Sequence, residues 1–235
     1  LQPKINETKP VYISTPLVDE KKCDHCGKCS EFCQFNALFV TPEKVLFFPE
    51  LCTGCGGCLL VCPKNAITEK NVEIGVVKKG VTEGMELVYG ELNVGEPMAV
   101  PVIKDVKKQI KSDKTVIVDS PPGASCPVIE SVHGSDYCLL VSEPTPFGLH
   151  DLKIMVQVLE GLNIPFGVII NCAGIGDKKI YDFCEEKDAP ILLEIPFQRK
   201  IAELYSRGIP FVLKMPEWKK KFQLLIEDIK GRIKK

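Results

Sequence analysis

CDHCGKCSEFC at residues 23–33 and CTGCGGCLLVCP at residues 52–63 are the two stretches on which the fold turns. Each contains a Cys-x2-Cys-x2-Cys-x3-Cys run. The first consists of Cys23, Cys26, Cys29 and Cys33; the second consists of Cys52, Cys55, Cys58 and Cys62, with Pro63 behind it. Every cysteine of the second run lies 29 positions after its counterpart (23 to 52, 26 to 55, 29 to 58, 33 to 62). Asn36-Ala37-Leu38 returns at the same offset as Asn65-Ala66-Ile67, so a duplicated unit is visible in the chain.

The spacing has a mechanical reason. Three thiolates two residues apart curl a short loop around one corner of an iron–sulfur cube. The fourth cysteine of each run starts a helix that points away, and it ligates the cube held by the other run. A first 4Fe–4S cluster is therefore assigned to Cys23, Cys26, Cys29 and Cys62, and a second to Cys52, Cys55, Cys58 and Cys33. Gly27, Gly54, Gly56 and Gly57 let the backbone approach the sulfides and offer N–H donors. Structural zinc takes two pairs of ligands about a dozen residues apart, not a tight run of four made twice. His25 sits inside the first loop, where the ligand set is already complete, and reads as a neighbouring donor or an exposed residue. His133 and His150 have no partner constellation.

Working outward, 235 residues suffice for one sizeable α/β domain plus a small module. Lys+Arg of 30 against Asp+Glu of 31 leaves −1, which points to no nucleic acid and no membrane surface. The longest apolar runs, such as Phe166–Ile170, are far too short to span a bilayer. Cys126, Cys138, Cys172 and Cys184 share no spacing and read as buried small hydrophobes. Cysteine used as ligand points to a reducing, cytoplasmic setting. No secretory signal opens the chain. It begins with Leu1 rather than Met, so a processed or fragmentary N-terminus is expected.

Between the runs, residues 37–40 and 45–48 read as two short strands. Beyond about residue 73, strands alternate with helices. Strands are expected at 85–89, 115–118, 137–141, 166–170 and 191–195. Helices are expected at 98–111 (Ile103, Val106 and Ile110 inward), 178–186 and 198–206. Thr145 is the expected cap of another helix, with Pro146 at its first position, Leu152, Met155, Val156 and Leu159 inward, and Gly161 as its stop. Such alternation implies a parallel sheet covered on both faces. The C-terminal stretch has Phe222, Leu225, Ile226 and Ile229 at helical spacing, which suits packing on the sheet better than lying on a membrane.

Residues 16–72 resemble bacterial two-cluster ferredoxins, departing at Gln34, where the first run lacks the proline that follows Cys62. Asp119-Ser120-Pro121-Pro122-Gly123, residues 135–141 (SDYCLLV) and Glu143-Pro144-Thr145-Pro146-Phe147-Gly148 resemble the MinD/ParA class of P-loop ATPases. In particular the chain resembles members that carry an inserted ferredoxin domain. The resemblance implies a mostly parallel, doubly wound P-loop NTPase-type α/β sheet, formed by residues 1–15 and 73–235, with a small α+β ferredoxin module inserted at 16–72. It implies ATP or ADP with Mg as cofactor and a homodimer. Asp119 would act on Mg²⁺ and the water network, Gly123 would lie in a switch, Asn171 would read adenine, and the loop after Pro196 would line the base. Cys126 would face the partner subunit, where a bridging site is conceivable.

The family's glycine-rich phosphate loop is absent. The nearest stretch, Gly75–Thr82, has Val81 where the lysine should stand, and it is rejected as a phosphate site. By the resemblance that loop and its strand would precede Leu1, so a missing N-terminal segment is expected. Three functions follow as expectations: ATP-driven electron transfer through two 4Fe–4S clusters to an unidentified redox partner, cluster carriage to apoproteins, and an ATP-independent ferredoxin on a degenerate NTPase scaffold. Whether the chain is an ATPase depends on the absent segment.

Overall fold

A long antiparallel ladder carries the cysteine runs in the computed structural model, which describes residues 3–233. β1 (Lys4–Val18) leads into the cysteine segment. That segment holds α1 (Lys28–Phe32), the short β2 (Leu38–Val40) and β3 (Val45–Phe47), and α2 (Gly57–Leu60). β4 (Ile67–Thr82) returns antiparallel along β1, paired from Val18↔Ile67 to Lys4↔Val81, and β5 (Met85–Leu92) adds a third strand in the order β1-β4-β5.

Neither β1 nor the greater part of β4 is legible in the sequence. Pro10 and Pro16 each remove a ladder donor, and β1 tolerates them because it is an edge strand. The Gly75–Thr82 stretch lies wholly in β4. A Cβ at Gly75 would press on the Glu91 carbonyl, and one at Gly80 on the Lys4 carbonyl. These glycines thus serve close strand approach, not a phosphate.

α3 (Val100–Lys107) is shorter than the expected helix and turned by one position. Val102 is buried in a cluster with Val11, Ile74 and Val77 on the antiparallel sheet, Val106 packs beside it, and Ile110 stays exposed. The Thr115–Val118 strand is not formed. Among the described residues this stretch is unpaired coil, with Val116, Ile117 and Val118 exposed, because no neighbouring strand supplies its ladder. The chain separates into two compact units between Ile117 and Val118. β1 and β4 are bonded along their length, which keeps residues 4–18 with 67–82 and the cysteine segment between them.

The second unit holds α4 (Cys126–Val132), β6 (Cys138–Ser142), α5 (Pro146–Leu162), β7 (Phe166–Ala173), α6 (Lys179–Glu186), β8 (Ile191–Pro196), α7 (Arg199–Ser206) and α8 (Pro216–Ile233). β6, β7 and β8 are parallel in that order. The Thr145 hydroxyl accepts the Gly148 N–H at 3.0 Å to cap α5. That helix does not stop at Gly161 but runs to Leu162, and Asn163 after it takes the left-handed conformation (φ 55°). α8 buries Trp218 and Leu225, with Phe211 edge-on to Trp218 at 5.5 Å. Among the described residues no helix is long and apolar enough to cross a membrane. Among the described residues the architecture is mixed α/β, with one parallel and two antiparallel sheets.

Val156, Leu159, Val168, Ile170 and Ile180 form the driest part of this unit's core, at 0–1% exposure. A cavity there cannot collapse against so many packed neighbours. Leu159→Ala is expected to cost about 2–5 kcal/mol in denaturant unfolding, and a loss well under that range would show a core that relaxes into the space.

Candidate metal centre

The duplication seen in the sequence recurs as local geometry. Gly27 and Gly56 precede α1 and α2 in the same left-handed conformation (φ 80° and 72°), and Asn36 and Asn65 share φ near 50°. Gly54 is also left-handed, while Gly57 is helical. The Ala37 N–H points to Cys33 Sγ at 3.4 Å, and the Ala66 N–H to Cys62 Sγ at 3.3 Å. Backbone donors on a sulfur moderate the charge of a metal-bound thiolate.

Two cavities gather the cysteines. One is lined by Cys23, Cys26, Cys29 and Cys62, with Val18, Val40, Val45 and Ile67 in its walls. The other is lined by Cys52, Cys55, Cys58 and Cys33, with Phe32, Phe35, Leu38 and Leu59. Each is ringed by three cysteines of one run and the fourth of the other. Cys29, Leu38 and Ile67 are buried at the centre of the segment, and Val61, Phe47 and Leu59 pack against them. Burial pushes the thiols of Cys29 and Cys52 up, and that of Cys58 up to about 11, with neighbouring Cys52 adding to the effect. A metal centre relieves this cost, because it takes the place of the proton and supplies the compensating positive charge. Four soft donors per ring, N–H groups aimed at sulfur and apolar walls fit a 4Fe–4S cluster.

His25 braces the first loop and lines the first cavity beside its cysteines. Its Nε2 hydrogen-bonds Glu20 Oε2 at 3.1 Å, while Glu20 Oε1 accepts the Val45 N–H at 3.1 Å. The Val45 N–H first, then His25, hold the Glu20 carboxyl below the usual range. The donor atoms of Glu20, Cys23 and His25 all lie within 4.8 Å of one another, so this group adjoins the first cavity. Nothing in the spacing marked Glu20, because its partner Val45 comes from a distant strand.

The residues proposed for nucleotide are dispersed in character. Asp119 is exposed and follows the unpaired 115–118 stretch. Gly123 is left-handed (φ 87°) with open space around it. Asn171 and Pro196 lie towards the carboxyl ends of β7 and β8, where Ala173 pairs with Pro196. Asn171 Nδ2 donates to Glu143 Oε1 at 3.3 Å, and Cys172 Sγ donates to the same oxygen at 3.4 Å, a cluster the sequence did not suggest. Of the four scattered cysteines, Cys184 is buried and Cys138 and Cys172 are half-buried. Cys126 is exposed, because α4 turns Val128, Ser131 and Val132 inward and leaves its first residue outside.

Residues 16–69 match the family model of the 4Fe-4S dicluster domain. An iron-sulfur cluster carrier protein of Methanocaldococcus jannaschii is 26% identical over 137 residues, covering 50% of this chain and 47% of the carrier. Among solved structures, the MinD cell division protein of Aquifex aeolicus superposes with a TM-score of 0.44 at 23% identity, covering 58% of this chain and 61% of that one. The uncharacterized protein MJ0579 of Methanocaldococcus jannaschii is 32% identical over 207 residues, which span 87% of this chain and 71% of that protein. On this similarity the chain belongs to the family of MJ0579, and on the domain match it carries a 4Fe-4S dicluster domain.

Proposed function

We propose that this protein transfers electrons through two 4Fe–4S clusters, held by Cys23, Cys26, Cys29 and Cys62 and by Cys52, Cys55, Cys58 and Cys33. The observation that carries the reading is the pair of cavities, each ringed by four cysteines drawn from both runs. A bound cluster supplies a one-electron carrier whose potential depends on its surroundings. The chain's own residues bind it and hold water off. Buried Cys29 and Cys52 anchor each ring, Ala37 and Ala66 donate to the crossing sulfurs, and the valines and phenylalanines of the walls keep the interior dry.

Cluster carriage is the second reading, and similarity to a cluster carrier protein favours it. Release would require both runs to open together, because each ring draws on both. The chelator test separates the two. Anaerobically reconstituted protein is expected to hold about eight irons and keep them through a challenge with excess EDTA. Rapid transfer of iron and sulfide to an apo-ferredoxin would replace electron transfer with carriage.

Coupling to ATP extends the first reading. It rests on the resemblance of residues 119–123 and 135–148 to MinD/ParA ATPases. Saturating MgATP is then expected to shift the cluster potentials of the complete protein. Unchanged potentials would remove ATP from the reading and leave the ferredoxin function standing.

A further inference from the structure

Residues 20–25 and 49–54 are the same stretch of the repeat, yet they carry different side chains. At the 29-residue offset, Glu20 gives way to Pro49 and His25 to Gly54. His25 and Gly54 share a left-handed backbone (φ 55° and 70°), which glycine adopts without cost and a side chain does not. At Gly54 a Cβ would stand 2.9 Å from the Ser14 carbonyl, so the second loop has no room for a side chain there. In the first loop the side chain is present and meets two further metal donors. The ligand atoms of Glu20, Cys23 and His25 lie within 4.8 Å of one another. Among the described residues no other three His, Cys, Asp or Glu donors gather so closely, and so no three sulfurs of either cysteine ring meet that limit.

We infer that the first loop is also a site for a single zinc ion, held by Cys23, His25 and Glu20 in place of the first cluster. Zinc accepts thiolate sulfur, imidazole nitrogen and carboxylate oxygen together. Its bonds of about 2.0–2.3 Å set tetrahedral donors roughly 3.3–3.8 Å apart. The cysteine rings are too wide for one ion, whereas a His25 nitrogen and Glu20 Oε2 already stand 3.1 Å apart. The Val45 N–H holds Glu20 Oε1 at 3.1 Å and leaves Oε2 to the site, the kind of outer hydrogen bond that orients a ligating carboxylate. The fourth position is open to water. Because Cys23 serves both arrangements, zinc and the first cluster exclude one another. This exclusion rests on the cluster assignment of the electron-transfer reading. The second loop, with Pro49 and Gly54, offers no such choice.

The test gives the anaerobic, cluster-free full chain equimolar Zn²⁺ and then iron and sulfide, with metal contents and zinc X-ray absorption measured on the same sample. About one zinc and about four irons per chain are expected, the zinc neighbours mixing sulfur with nitrogen and oxygen. Glu20→Gln and His25→Gln should each lose that zinc and take up about eight irons instead, a content that also shows the variant to be folded. Should a variant fail to load iron, the zinc shell of the unmodified chain decides alone. An all-sulfur shell, zinc that stays in both variants, or about eight irons in the zinc-treated unmodified chain overturns the inference. Iron and sulfide uptake without zinc judges the cluster reading separately. A chain that binds zinc in the mixed shell but never a cluster would end the electron-transfer reading and keep the zinc site.

Discussion

The double variant Cys33→Ala with Cys52→Ala is expected to lose about four of about eight irons, no more than either single variant. Cys33→Ala with Cys23→Ala is expected to lose them all. The contrast follows from the crossing of the runs. Cys33 and Cys52 line one cavity, whereas Cys23 lines the other with Cys62. If each run closed its own cluster, Cys33 and Cys23 would share a ring, and the two double variants would exchange outcomes. Cys126→Ala, at an exposed position on a different unit, should leave the iron content unchanged.

Stripping both clusters with ferricyanide and EDTA is expected to unfold the cysteine segment while the parallel-sheet unit stays folded. The segment has few means of its own. Its fully buried apolar side chains are Cys29, Leu38 and Ile67, with Ala37, Ala66 and Cys52 nearby. Burying a large apolar side chain contributes about 1.5–3 kcal/mol. Ordering each residue of backbone costs about 1–2 kcal/mol, and the segment has many more residues than buried side chains. Its helices are one turn long and its strands three residues. Metal binding therefore becomes folding free energy. Hydrogen exchange gives the readout: amides of residues 23–63 should lose protection, and those of β7 should keep theirs. Undiminished protection in 23–63 would show a scaffold that stands without its clusters.

By itself the sequence determined the elements whose cause is local. Ligand spacing and the 29-residue repeat come from short-range chemistry, so the cysteine runs, the turns after them and the strands β2 and β3 could be read directly. Apolar runs bounded by Thr145, Pro146 and Asn171 likewise marked α5 and β7, because capping and burial are written within a few residues. Only the tertiary structure decided the β1–β4 ladder, the division between Ile117 and Val118, the inward face of α3 and the failure of 115–118 to pair. It also placed Glu20 on Val45 and set Phe32 against Gly57. In each case the deciding partner lies far along the chain, and a strand or a packed ring has no stable form until that partner supplies the hydrogen bonds or the apolar surface it lacks.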